Sequence, residues 1–289
     1  MRKKVIPICI LLIMLAGVGL LSYPSLANYI NNKNARSVIG DYQAEISNLD
    51  AEKLQSMMAQ AYAYNNSLPG AFPANPFSGE NISKQAAFDY QDFFMIQKDA
   101  MIGYIEIPSL DIYLPIYYGT SDEVLEKGVG LIENSSLPVG GESSHAVLSA
   151  HTGLPTQELF TGLEELESGD VFFIHVLDQV FAYRVNQSKV VEPKDTRDLM
   201  IEKDHTYVTL LTCTPYGINS HRLLVRGELD KDYDVTAQSS ISAIRKQNDW
   251  LWMVALASVA MSGGGFGAWM YRKRKKGAQH EEPKKHDEN

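Results

Sequence analysis

Cysteine is scarce: the chain of 289 residues holds only Cys9 and Cys213. Cys9 lies in an uncharged apolar run near the N-terminus, which leaves Cys213 without an intrachain partner outside that run and excludes a disulfide framework. The acidic residues are scattered, so neither a metal site nor another cofactor is expected. Internal repeats and low-complexity tracts are absent, which excludes a solenoid or a repeat array. A net basic charge is missing from the middle of the chain. Residues 1–4 contribute +3 and residues 272–289 contribute +3, so the net charge of −9 leaves −15 on residues 5–271. A chain acidic over its whole central part lacks the basic surface that nucleic acid requires.

Charge of either sign is absent from two runs, residues 5–21 and 251–270. Arg2-Lys3-Lys4 precedes the first; Tyr271 and then five basic residues, 272–276, follow the second. The second run has about the length of a membrane-spanning helix. Trp250, Trp252, Trp269 and Tyr271 stand near its ends, where interfacial aromatics sit. The basic stop beside it argues against a buried core helix. The positive-inside rule then places both termini in the cytoplasm and residues 28–249 outside the cell membrane. Ser25-Leu26-Ala27 has the small-x-small pattern of a signal-peptidase site, so residues 1–27 are either an uncleaved anchor or a cleaved signal peptide. Both alternatives export the middle of the chain.

That middle divides by texture. Residues 28–64 carry Ile30, Val38, Tyr42, Ile46, Leu49, Leu54, Met57, Met58 and Ala61 mostly at three- and four-residue steps, which predicts helix. "NNSLPG" breaks the pattern, "AFPANPFSGEN" (71–81) is irregular, and a short helical stretch follows at about 84–98. Residues 28–98 therefore form an extracytoplasmic helical region. From residue 99 to 230 the chain is β-rich. "IGYIEIPSLDIYLPIYYG" opens it, and further strands are expected at 146–149, 171–176, 180–186, 207–212 and 222–229. Short strands separated by Pro/Gly/Asp turns predict a sandwich or a barrel. A polar spacer (231–249), the apolar segment with its aromatic flanks (250–271) and a basic tail (272–289) complete the chain.

A lone exported thiol is either an inert small hydrophobe or a nucleophile. A nucleophile needs an acid/base partner, normally histidine. His280 and His286 lie in the tail, leaving His145, His151, His175, His205 and His221. His151 follows the apolar "HAVLSA" and opens the turn-prone "HTGLP", a loop position just beyond a strand. On a strand starting at His221, Arg222, Leu224 and Arg226 share one face and Leu223 and Val225 the other. If "VTLLTC" and "HRLLVRG" are antiparallel neighbours joined by the loop 214–220, Arg222 lies near Cys213, where a guanidinium stabilises a developing oxyanion. Taken singly, either arginine more commonly serves in a surface ion pair.

"TLLTC" with Arg222 nine residues on and "SAHTG" some sixty residues upstream resembles a sortase. "GVGLIENSSLPVGGESSHAVLSAHTGLP", "LFTGLEELESGDVFFI" and the C-terminal apolar segment are similar to the pilus-assembling class C branch, over residues 70–271. The resemblance implies a mainly β fold: a closed eight-stranded barrel with N-terminal helices, a lid loop and flanking transmembrane helices. It implies Cys213 as nucleophile, His151 as general acid/base, Arg222 as the substrate-positioning and oxyanion-stabilising arginine, and His145 as a non-catalytic neighbour. The family reaction is transpeptidation. The thiolate attacks the Thr–Gly carbonyl of an LPXTG-like sorting signal, and an amine resolves the thioacyl enzyme, in class C a lysine of the next pilin subunit. Class C members also carry an Asp-Pro-aromatic lid whose acid pairs with the catalytic arginine. The matching residues here are Asn75, Pro76 and Phe77, so the acid is missing and any lid is expected to close less firmly. The alternatives are a sortase that attaches proteins to peptidoglycan, a cysteine L,D-transpeptidase, and a catalytically inert pilus-binding module. The nine-residue spacing from Cys213 to Arg222 argues against the L,D-transpeptidase, and the full Cys, His and Arg set argues against the inert module.

Overall fold

Strand-forming sequence from residue 101 onward rolls into a closed barrel in the computed structural model, which describes residues 2–68 and 101–235. The strands are β1 (Met101–Ile107), β2 (Ile112–Tyr118), β3 (Val129–Leu131), β4 (Ser144–Ser149), β5 (Val171–Val176), β6 (Gln179–Val191), β7 (Thr206–Thr214) and β8 (His221–Leu229). They close in the order β1-β2-β3-β4-β7-β8-β6-β5. The pairs β2–β3 and β4–β7 are parallel and the others antiparallel. The expected eight-stranded barrel is therefore present, and closure removes every sheet edge.

Alternation decides which side chains fill the barrel. On β7 and β8, Val208, Leu210, Leu223 and Val225 belong to the main core. Leu211 and Leu224 face the other way and join a smaller outer cluster with Ile132, Val147, Val191 and Leu199. Where β1 meets β5 the backbones run so close that a Cβ on Gly103 would stand 2.1 Å from the His175 carbonyl oxygen. Only glycine fits there.

Two helices precede the barrel. α1 (Arg2–Ser47) lays a stripe of Ala35, Ile39, Tyr42 and Ile46 against it. Tyr42 is 1% exposed; its hydroxyl donates to the Ile102 carbonyl (3.1 Å) and accepts from the Leu177 N–H (2.8 Å). α2 (Ala51–Ser67) is capped by the Asp50 carboxylate, which accepts from the Lys53 N–H at 2.7 Å. The sequence pattern reads as one helix through Leu49, but the chain turns at residues 48–50. Leu49 still packs against the core from inside the turn, so its apolar character keeps the helical rhythm while Asp50 starts a new helix. β3 has only three residues and no readable alternation. β6 runs five residues beyond the expected end, past a bulge between Val185 and Gln187. A short helix, α3 (Asp122–Leu125), capped by Ser121, leads into β3.

Among the described residues no helix is long and apolar enough to cross a membrane. The first apolar run lies within α1, so its backbone is helical. The second apolar run, the basic tail, the expected helix at 84–98 and residues 75–77 lie outside the described residues.

Two buried polar groups tie these layers together. Asn65 on α2 donates its Nδ2 to the Leu137 carbonyl (3.0 Å) and accepts from the Leu137 N–H (2.7 Å). His145 on β4 is fully buried; Nδ1 is 2.8 Å from the Met200 carbonyl and Nε2 is 2.7 Å from the Thr209 hydroxyl. A carbonyl only accepts, so Nδ1 carries the proton and Nε2 accepts from Thr209. Burial lowers the His145 pKa to about 4 from its ordinary 6.5. Asn65→Ala strands both Leu137 groups and is expected to cost about 2–4 kcal/mol in urea unfolding. For His145 the unfolded chain takes up its proton near pH 6.5 and the folded chain only near 4. Its contribution is thus complete above pH 6.5 and is lost as pH falls towards 4, a fall of about 3 kcal/mol. Unfolding free energies measured across that window are expected to show a flatter slope in His145→Gln.

Candidate active site

The last rungs of β7 carry Cys213. Cys213 and Arg222 are direct register partners of the antiparallel β7–β8 ladder, so their side chains stand side by side on one face. Both are half-buried, and Cys213 is a free thiol. The rungs below on the same face are Leu211 with Leu224, then Thr209 with Arg226. This ladder separates the roles of the two arginines. Arg226 lies over the Tyr207 ring (4.1 Å to its centroid), donates to Asn186 Oδ1 (3.1 Å) and pairs with Glu202 (3.4 Å). It is a structural cation two rungs away from the thiol. Arg222 is the one at the thiol, and its Nη1 donates to the Asn219 and His221 carbonyls at 3.3 and 3.1 Å.

His151 arrives from the other side of β7. β4 and β7 are parallel with Ser149 opposite Leu211, so their C-terminal ends lie at the same end of the barrel. Two bonds extend this pairing beyond the strand: the Ala150 N–H donates to the Leu211 carbonyl (3.2 Å), and the Thr212 hydroxyl donates to the Ala150 carbonyl (2.8 Å). Continuing the register by one step sets His151 beside Cys213. Its backbone carbonyl accepts from the N–H of Phe160, a fully buried residue (3.0 Å). Imidazole, thiol and guanidinium therefore come from three adjacent strand ends, in the order β4, β7, β8.

The other histidines of the central region are placed elsewhere. His145 is locked as described. His175 lies 3.5 Å from the Glu106 carboxylate with its ring stacked on Tyr104. His205 pairs with Glu228 (2.8 Å) and stacks on Tyr207. His221 alternates to the face opposite Arg222 and is exposed.

The loop 215–220 closes the top of the β7–β8 hairpin. It begins with a cis Thr214–Pro215 peptide, and Ile218 and Asn219 both donate their N–H groups to the Pro215 carbonyl. Tyr216 is 63% and Ile218 72% exposed. The Tyr216 ring lies over Gly153, where an added Cβ would come within 3.0 Å of it and where φ is +76°. Glycine thus lets the loop after His151 pass beneath the loop after Cys213. The expected Cys213 and Arg222 neighbours are brought together, with His151 at the adjoining strand end; the lid residues Asn75, Pro76 and Phe77 lie outside the described residues. Sequence reasoning missed the Thr212 hydroxyl, which reads as one more β-branched strand residue. Among the described residues no group of His, Cys, Asp or Glu side chains is arranged to hold a metal ion.

The Sortase domain family matches residues 105–230. The sortase C of Streptococcus pneumoniae, a structure described for its insight into catalysis and pilin substrate specificity, is 44% identical; the match covers 67% of this chain and 96% of that one with a TM-score of 0.60. The sortase C of Clostridium perfringens, solved with the C-terminal cell wall sorting motif, is 46% identical over 68% of this chain and 100% of that one, with a TM-score of 0.57. Sortase D of Bacillus subtilis (strain 168) is 33% identical over 115 residues, 40% of this chain and 55% of the relative. The chain thus spans little more than half the length of that curated relative. On the ladder that joins Cys213 to Arg222 and on these matches, the chain belongs to the sortase family, in its class C branch.

Proposed function

We propose that this chain is a membrane-anchored cysteine transpeptidase. It cleaves an LPXTG-like sorting signal between Thr and Gly and joins the new carboxyl end to a lysine of the next pilin subunit, polymerising pili. The observation that carries this function is the direct register of Cys213 with Arg222, with His151 at the end of the parallel neighbour β4. The Cys213 thiolate attacks the threonine carbonyl. Arg222, on the next strand, donates to the oxygen as charge develops on it. As the tetrahedral adduct collapses, His151 gives a proton to the departing glycine amine and the thioacyl enzyme remains. His151 then takes the proton of the incoming lysine amine, which attacks the thioester and releases Cys213. One imidazole serves both steps because the leaving and the entering groups are both amines.

The pilin acceptor is supported by the likeness to the pneumococcal sortase C, and the sorting-signal donor by the clostridial one. The anchoring rests on the two apolar runs, 5–21 and 251–270, with their basic flanks. The catalytic barrel (99–230) then works outside the cell membrane, with both termini cytoplasmic unless residues 1–27 are cleaved. We propose that residues 71–81 act as a lid, with the Phe77 ring over the thiol and Asn75 as a neutral partner for Arg222. Charge-assisted bonds are about twice as strong as neutral ones, so this lid opens more readily than one bearing an acid.

Cys213→Ala is expected to abolish cleavage of a sorting-signal peptide and to remove high-molecular-weight ladders of surface protein from the cell. Retained cleavage overturns the assignment. Ladders absent from wild type while the substrate is found joined to peptidoglycan point to cell-wall anchoring instead. Arg222→Ala is expected to lower turnover by about 10²–10³-fold, the cost of one oxyanion donor. For the lid, a thiol reagent is expected to modify Cys213 more slowly in Asn75→Asp than in wild type, and equal rates count against it.

A further inference from the structure

Helix α1 reaches the loop that follows His151. Its contact stripe of Tyr42, Ile39 and Ala35 continues N-terminally, at helical spacing, as Asn31 and Asn28. Asn31 donates its Nδ2 to the Thr156 carbonyl at 2.9 Å. Asn28 accepts the Glu158 N–H on its Oδ1 at 3.2 Å. Both partners lie in the segment whose ends are tied by the Phe160 N–H to the His151 carbonyl (3.0 Å) and by the Gly153 N–H to the Thr161 hydroxyl (3.1 Å). The first tie involves His151 itself, so a shift of the segment is passed directly to the backbone that carries the imidazole.

Packing alone does not hold this segment. A cavity of about 280 Å³ separates it from α1 and β2, lined in part by Asn31, Ala35, Leu114, Tyr117, Gln157 and Glu158. Residues 155 to 158 are half-buried or exposed; Leu154 packs against the edge of the core, and Leu159 and Phe160 enter it. A stretch bordering open space takes its position from hydrogen bonds. Gln157 supplies one to the Glu126 carbonyl (2.9 Å), and the two asparagines supply those to α1.

We propose that Asn28 and Asn31 are positioning residues for His151, clasping its loop to α1 so that the imidazole is held beside Cys213. The clasp also couples the site to the helix that leads to the N-terminal apolar run. This rests on the assignment of His151 as acid/base. The two asparagines use opposite ends of the amide, which gives a matched test. Asn28→Asp keeps the acceptor that the Glu158 N–H needs. Asn31→Asp replaces a donor with an acceptor and sets a carboxylate against the Thr156 carbonyl. Both changes add the same charge to the same helix face.

The experiment is steady-state cleavage of a sorting-signal peptide by the full chain in detergent, with residues 75–77 intact and deleted, alongside thermal unfolding of each variant. Asn31→Asp is expected to lower kcat about tenfold with KM unchanged, because the imidazole enters in proton transfer rather than in peptide binding. Asn28→Asp is expected to stay within about twofold of wild type, while Asn28→Ala falls with Asn31→Asp, and all variants unfold cooperatively near the wild-type temperature. Equal kcat for Asn31→Asp and Asn28→Asp overturns the clasp, as does a loss that appears in KM and in the unfolding temperature together. Cys213→Ala separates the two levels of inference. If it still cleaves, the catalytic assignment and the clasp both fall. If it is inert while the two aspartate variants match, only the clasp falls.

Discussion

Strand β7 pairs on one side with β4, in parallel, and on the other with β8, antiparallel, and the register of this three-strand ladder sets where the reactive groups meet. A slip of one residue in β7 would turn Cys213 towards the barrel interior and bring the Thr214 side chain to the outer face. The core resists such a slip. Val208 and Leu210 are buried in the main core and Leu211 in the outer cluster, so both faces of β7 are apolar and specified. Thr212 adds a bond that exists in one register only, from its hydroxyl to the Ala150 carbonyl.

The same ladder sorts polar groups by what they do. Along its outer face Arg222 stands at the thiol and Arg226 two rungs lower, among Tyr207, Asn186 and Glu202. His145 and His151 are six residues apart on one strand and its extension, yet their environments oppose each other. His145 is buried, with both nitrogens engaged, and burial favours its neutral form. His151 is half-exposed at the strand end. An acid/base must exchange protons with substrates, and only the second position allows it.

Much of this was legible in sequence because it depends on short periods. The alternation of Arg222, Leu224 and Arg226 against Leu223 and Val225 needs nothing beyond a period of two, and the structure keeps it. The hairpin that sets Arg222 against Cys213 followed from two strands and a turn. What sequence could not supply was non-local. The parallel pairing of β4 with β7 joins residues some sixty positions apart, and no local pattern announces a partner at that distance. The break at residues 48–50 escaped because Leu49 serves both the helical rhythm and the turn. The bonds from Asn28 and Asn31 escaped because asparagine on a helix reads as solvent-facing. Two apolar runs and a lid motif were readable as chemistry; the first run is helical within α1, while the second run and the lid motif lie outside the described residues.

The parallel β4–β7 pair also bears on the order in which the molecule becomes reactive. Cys213 and Arg222 are nine residues apart and meet as soon as one hairpin forms. His151 reaches them only when a chain segment of about sixty residues, including β5 and β6, has been laid down and the barrel has closed. Contacts of such long sequence separation form late, since their loop entropy must be overcome first. A newly made chain therefore has Cys213 and Arg222 together for a time before His151 joins them. Complete folding, rather than the presence of the three residues, is what brings them together.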